Sequence, residues 1–180
     1  MVDERANMQR FESLVVSHLD AAYNLARWLM RNEHDAEEAV QESFLRALRF
    51  FDGFRGGDAR AWLLTIVRRT CFSRLDKHRQ QRLEVPFEED LHSSPGMQND
   101  GTASAPDAQL LAMADRVLVN RALDSLSTAH REVLVLRELE DLSYREIADV
   151  TDVPIGTVMS RLSEARRRLR EAYARVSEEK

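Results

Sequence analysis

The stretch that decides the fold is LSYREIADVTDVPIGTVMSRLSEARRRLREAY, residues 142–173. Ser143 followed by Glu146 makes a capping box at the start of a short helix, Tyr144–Val150. Thr151-Asp152-Val153 turns the chain. Pro154 then stands where a second, longer helix begins, its fixed φ suited to a first turn. Val158, Leu162, Ala165, Leu169 and Ala172 recur on one face of that helix at helical spacing. Capped helix, tight turn and long basic helix together make a helix-turn-helix, whose second helix enters the major groove of duplex DNA. Thr157, Met159, Ser160, Arg161 and Ser163 lie off the apolar stripe near its N-terminal end. Arginine pairs bidentately with a guanine edge, and serine or threonine contacts base or phosphate. Arg166, Arg167, Arg168 and Arg170 follow as expected phosphate contacts, which add affinity without reading sequence. A basic helix alone reads first as a solvated face; the capping box, turn and proline together turn the reading to DNA.

Upstream, Leu110, Leu111, Ala114, Val117, Leu118 and Ala122 mark a helix ending near Leu126. Ser127 or Thr128 caps the next, which carries Val133, Leu134, Leu136 and Leu139. Before these, VPFEEDLHSSPGMQNDGTASAP (85–106) holds three of the four prolines, shows no periodicity and reads as a linker. N-terminal to it, a first helix carries Phe11, Leu14, Val15, Leu19, Ala22, Leu25, Ala26 and Leu29. A second starts near Asp35, with Ala36, Ala39, Val40, Phe44, Ala47, Leu48 and Phe51 on one side. DGFRGGD (52–58) breaks the pattern and offers Asp58 as an N-cap. A third helix, about 59–81, buries Trp62, Leu63, Ile66, Val67 and Thr70 and turns its arginines outward. No segment reads as a strand and no internal repeat is evident. The expectation is all-α: a three-helix domain at 8–83 and a four-helix domain at 108–176, joined by a flexible acidic linker at 84–107.

Charge sharpens this division. The 180 residues carry 26 Lys+Arg against 31 Asp+Glu, a net charge of −5. Residues 1–83 hold 14 basic and 12 acidic residues, residues 84–115 hold 7 acidic and no basic ones, and residues 116–180 hold 12 of each. The acidity therefore belongs to the linker, while basic residues gather on the third and last helices. One cysteine, Cys71, excludes an internal disulfide framework and a Cys-rich zinc site. It reads as a structural thiol. No apolar run approaches a membrane span, and MVDERANMQR lacks a signal peptide's apolar region, so a soluble cytoplasmic protein without membrane insertion is expected.

Catalysis finds no foothold. FRGG lacks the Lys-Ser/Thr of a P-loop, no HExxH occurs, and His34-Asp35 lacks further metal ligands and reads as a solvated helix start. No metal, cofactor or enzymatic activity is expected. Trp62 beside Arg68, Arg69, Arg74 and Lys77 has the composition of a single-strand binding site, although the tryptophan on its own reads first as core.

In order, DAEEAVQESFLRALRFFDGFRG, RAWLLTIVRRTCFSRL, an acidic linker and LSTAHREVLVLRELEDLSYREIADVTDVPIGTVMSRLSEARRRL resemble the extracytoplasmic-function (ECF) group of bacterial sigma factors, reduced to regions 2 and 4. The resemblance covers about residues 10–173. It implies a non-enzymatic subunit that binds core RNA polymerase, directs it to promoters, helps open the strands, and is controlled by an anti-sigma factor. The family's DAEEAVQESF helix docks on the β′ coiled coil, which matches Asp35, Glu38, Gln41 and Glu42; region 4 meets the β flap. The following helix reads and melts the −10 element, which matches Arg68, Arg69, Ser73 and Arg74 with Trp62 in support. Region 4 reads the −35 element through Thr157, Met159, Ser160, Arg161 and Ser163, with Arg166 and Arg167 on the backbone. Family members often carry Asn at the Arg69 position and Arg or Lys at the Met159 position. Met159 offers apolar contact suited to a thymine methyl. The resemblance suggests that the acidic linker mimics a polyanion in the RNA channel; shielding of the basic helices in the free protein, and a linker that is merely soluble, are the other readings. Two other readings stay open at this stage: a helix-turn-helix regulator acting without polymerase, and a sigma mimic that sequesters a regulator.

Overall fold

A computed structural model describes residues 2–84 and 117–178. The N-terminal half is built from α1 (Val2–Leu14), a 3₁₀ turn (Val16–His18), α2 (Leu19–Met30), α3 (Glu33–Phe50), a second 3₁₀ turn (Phe51–Gly53) and α4 (Ala59–Glu84). The C-terminal half comprises α5 (described over 117–124), α6 (Thr128–Leu134), a π turn (Val135–Leu139), α7 (Tyr144–Thr151) and α8 (Ile155–Glu178). Among the described residues there is no strand, and the fold is all-α as expected. The expected linker, apart from Glu84, and Leu110, Leu111 and Ala114 lie outside the described residues.

The expected single first helix is two helices. Val15 has φ −112°, and a 3₁₀ turn follows it. Ser13 and Ser17 donate their hydroxyls back to the carbonyls of Arg10 and Ser13, the local bonding that competes with a regular helix. The tighter turn shifts the register, so Val15 is buried while Leu19, expected on the buried stripe, is exposed. The two caps that follow are local and legible. Asn32 accepts the Asp35 N–H at 3.0 Å and opens α3, and the Asp58 carboxylate accepts from the N–H groups of Arg60 and Ala61 and opens α4.

Leu25 and Leu29 of α2, Ala36, Ala39 and Ala47 of α3, and Leu63, Leu64, Val67 and Cys71 of α4 form the N-terminal core. The alanines let α3 approach closely. Phe11 meets Phe51 edge-on at 5.2 Å, and Phe54 carries Trp62 at 5.0 Å, so the tryptophan is half-buried in an aromatic cluster. Burial pushes the Cys71 thiol up to about 12, which makes it inert.

In the C-terminal half Ser127 caps α6 through the His130 N–H. Ser143 and Glu146 form both arms of the expected capping box, at 3.3 and 2.7 Å. Asp152 takes the left-handed conformation (φ 55°) at the α7 C-terminus, and Pro154 precedes α8, its carbonyl accepting from Thr157 and Val158. The π turn is unexpected: the Glu140 N–H reaches back to the Val135 carbonyl at 3.1 Å. The widened turn carries Leu139 out to solvent, although sequence spacing places it inside.

Arg131 is buried. Its guanidinium donates to the carbonyls of Leu123, Asp124 and Leu126 around the end of α5, and to Trp28 near the end of α2. It thereby satisfies the orphan carbonyls of two helix ends, one in each half. The apolar core is continuous across the halves, with α2 packed on α6 and the π turn, and α4 on α7.

Candidate nucleic-acid interface

The helix-turn-helix forms as its caps dictate. Val158, Leu162 and Ala165 are buried against the rest of the domain, which turns the opposite face of α8 outward. Met159 (53% exposed), Ser160 and Ser163 are exposed, with Thr157 and Arg161 half-buried beside them. The Ser160 hydroxyl donates to the Thr157 carbonyl at 3.0 Å and would rotate to meet a base. All five lie off the buried stripe, at the N-terminal end of the helix.

Three of the four phosphate-contact candidates, Arg166, Arg167 and Arg168, are held in ion pairs, while Arg170 is exposed. Arg166 donates from Nε and an amino group to Glu138 Oε1 at 3.0 and 2.6 Å, across from α8 to the π turn. Arg167 is shared between Glu164 (2.6 Å) and Glu171 (2.5 Å), and Arg168 donates to Glu164 at 2.6 Å. The Arg167 and Arg168 guanidinia hold the Glu164 carboxyl at about 2, well below its ordinary range. The basic face of α8 is thus partly neutralised from within.

On α4, Arg69 and Ser73 are exposed. Arg68 and Arg74 are not turned outward as expected. Arg68 donates Nε to Glu132 of α6 at 2.5 Å and lies over the Phe72 ring at 4.6 Å. Arg74 is paired with Glu38 and with Glu42 of α3, the latter at 3.1 Å. Arg46 completes this network, donating to Glu42 at 2.5 Å and to the Thr70 hydroxyl at 3.3 Å.

On α3, Asp35, Glu38 and Glu42 recur along one stripe and are half-buried, with Gln41 exposed beside them. Beside that stripe stand large apolar side chains in water: Leu45 (69% exposed), Leu48 and Phe50 (61%). Sequence reasoning missed this patch. It placed Leu48 on the buried side and passed over Leu45, whose position off the apolar stripe was the available signal. It also missed Glu132 and Glu140, buried carboxylates whose partners lie in the other half.

Residues 14–81 match the family model "Sigma-70 region 2", and residues 116–169 match "Sigma-70, region 4". The chain is 33% identical to the ECF RNA polymerase sigma-E factor of Salmonella typhimurium, over 91% of this chain and 86% of that protein. It belongs to the ECF sigma factors.

This sigma factor is also 33% identical to ECF RNA polymerase sigma factor SigE of Mycolicibacterium smegmatis, over 98% of this chain and 66% of that protein. Among solved structures it resembles the sigma factor RpoE of Bartonella quintana, crystallised with the anti-sigma factor NepR (TM-score 0.70, 28% identity, covering 91% of this chain and 96% of that one). It also resembles CnrH in complex with the cytosolic domain of CnrY (TM-score 0.59, 25% identity, 91% and 87%). As a member of this family it is a factor for promoter-directed initiation, and its helix-turn-helix is region 4. No helix among the described residues is long and apolar enough to cross a membrane.

Proposed function

We propose that this sigma factor binds core RNA polymerase through α3, captures the −10 strand with α4 and reads the −35 duplex with the N-terminal end of α8. The observation that carries the reading is the N-terminal end of α8: Met159, Ser160, Ser163, Thr157 and Arg161 lie off the stripe of Val158, Leu162 and Ala165 that the helix buries.

Gln41, Asp35, Glu38 and Glu42 with exposed Leu45, Leu48 and Phe50 supply a polar-rimmed apolar face, the composition of a protein docking surface. The β′ coiled coil is its partner, and the β flap meets region 4. Arg69 and Ser73 are ready to engage the −10 strand, with Arg68 and Arg74 joining once released and Trp62 holding the helix in place. Arg166 and Arg167 contact phosphates flanking the −35 site. The domain limits are 8–83 and 108–176. The protein is a cytoplasmic, non-enzymatic subunit that uses no metal or cofactor, and an anti-sigma factor controls it, as the complexes of RpoE with NepR and CnrH with CnrY support.

Arg161→Ala tests the site. Loss of a bidentate base contact removes about 1–3 kcal/mol of sequence discrimination, so binding of polymerase holoenzyme to its −35 sequence falls while binding to unrelated duplex is little changed. Equal losses on both would make Arg161 a phosphate contact only.

A further inference from the structure

The helix packed along α8 brings a histidine to the side of the recognition helix. His130 is half-buried on α6. Ser127 Oγ accepts the His130 backbone N–H at 3.4 Å and lies 2.9 Å from the ring nitrogen Nδ1. With its oxygen accepting from the backbone, the hydroxyl donates to Nδ1, so the neutral ring carries its proton on Nε2. Among the described residues Nε2 has no partner. Protonation keeps the anchor, because Nδ1–H then donates to Oγ in place of the reverse bond. The ring is therefore held in both charge states and presents one uncommitted donor.

The surroundings are charged. Arg161, Glu164 and Arg168 stand around the ring from α8, at spacings of three and four residues that put them on one side of that helix. On α6 itself, Arg131 is turned into helix-end carbonyls and Glu132 is held by Arg68. Burial, followed by the charges of Arg168 and Arg161, keeps the ring below the ordinary histidine range, against the pull of Glu164. Glu164 is itself committed to Arg167 and Arg168, each at 2.6 Å. Arg161 enters no ion pair among the described residues. This flank of α8 therefore offers an uncommitted guanidinium, an uncommitted imidazole N–H and no uncommitted anion, the donor set of a phosphate contact.

We propose that His130 is a further backbone contact of the −35 duplex: Nε2 donates to a phosphate oxygen beside the base read by Arg161, and the ring takes up a proton from solvent as the phosphate arrives. This inference rests on the assignment of α8 to duplex DNA. An anion set among Arg161, Arg168 and His130 reverses the local potential. The charged ring, disfavoured in the free protein, becomes the favoured form in the complex. Its titration midpoint is then higher in the complex than in the free chain. Binding accordingly strengthens as pH falls through the higher midpoint and levels off below the lower one. Duplex binding by region 4 is thus linked to a proton, through a residue outside the arginine face of α8.

The test uses the full chain and a short DNA duplex of mixed sequence, with two readouts. The ring Cε1–H resonance of His130, identified among the five histidines by its absence in His130→Gln, is titrated with and without duplex. Affinity for the fluorescein-labelled duplex is measured by anisotropy from about pH 8 to about pH 6. The resonance should titrate about one pH unit higher in the complex, and wild-type affinity should rise by up to about tenfold on acidification, the limit such a difference sets. His130→Gln keeps a side-chain N–H but cannot become charged. It should bind as well as wild type at the alkaline end and lose the gain at the acid end. A midpoint unmoved by duplex overturns the proposal, and so does a pH dependence that His130→Gln retains in full. Glu164→Gln, which frees a phosphate-binding arginine on α8, tells why. If it tightens duplex binding while the midpoint stays put, α8 meets DNA without His130. If it changes nothing, the assignment of α8 itself is wrong.

Discussion

Glu164 sits in the middle of the recognition helix and holds two arginines that a DNA backbone would otherwise engage. Arg168 has Glu164 as its acidic partner at 2.6 Å, while Arg167 is divided between Glu164 and Glu171. Glu164→Gln removes the first clamp and half of the second. Arg168 becomes available to a phosphate, whereas Arg167 remains held by Glu171. One additional phosphate neutralised steepens the dependence of log affinity on log salt by about 0.9 for duplex DNA. If the electrostatic term vanishes near 1 M salt, that slope makes nonspecific binding about eightfold tighter at 0.1 M. The gain should be the same on −35 and unrelated sequences, so the ratio between them is unchanged. Fluorescence anisotropy with labelled duplexes over a salt series measures both quantities. Glu171→Gln is the control: Glu164 still clamps both arginines, and the slope should move little. An unchanged slope for Glu164→Gln, or an effect confined to one sequence, would refute the view of these arginines as internally paired phosphate contacts.

Neighbouring positions on the same helix should separate folding from reading. Leu162→Ala, at a fully buried position, should cost region 4 about 3 kcal/mol by the usual cost of emptying a leucine site, measured by urea unfolding. Met159→Ala, at an exposed one, should stay within about 0.5 kcal/mol of wild-type stability yet lose −35 binding. The capping box predicts a pH dependence. Hydrogen bonds from Ser143 lower the Glu146 carboxyl below its ordinary 4.5, so its contribution is complete above that value and disappears as pH falls through the lowered one. The difference in melting temperature between wild type and Glu146→Ala should be constant from neutral pH down to about pH 5 and shrink in more acidic solution. A difference that grows on acidification would reverse the assignment.

What could be read from the sequence was local. Ser143–Glu146, Asp58 and Pro154 act on backbone within three or four residues, so the helix-turn-helix and the start of α4 were visible as spacing. The α8 reading surface followed because a helix with Val158, Leu162 and Ala165 inside must turn the intervening residues outward. Non-local pairing left no such trace. Arg68 has the same periodic position as a solvated arginine, and its partner Glu132 lies 64 residues further on. The π turn escaped for a related reason: one extra residue per turn leaves Leu139 at helical spacing from Leu136 while rotating it into water. Splitting the first helix at Val15 depended on serine hydroxyls bonding backward, a preference too weak to override an unbroken apolar pattern on the page. Leu48 marks the opposite error. It was counted as core, and its exposure on α3 beside Leu45 and Phe50 points instead to a partner.

The central claim is that α3, α4 and α8 act together on polymerase and promoter. Run-off transcription with purified core RNA polymerase on a library of promoter fragments tests it most directly. The wild-type chain should start discrete transcripts from a subset of templates sharing −35 and −10 sequences. Arg161→Ala should abolish that selectivity, and Leu45→Asp should abolish the transcripts by breaking the polymerase contact. Discrete promoter-dependent transcripts with wild-type chain and none without it are the predicted result; no promoter-dependent transcript from core enzyme plus wild-type chain would contradict the account.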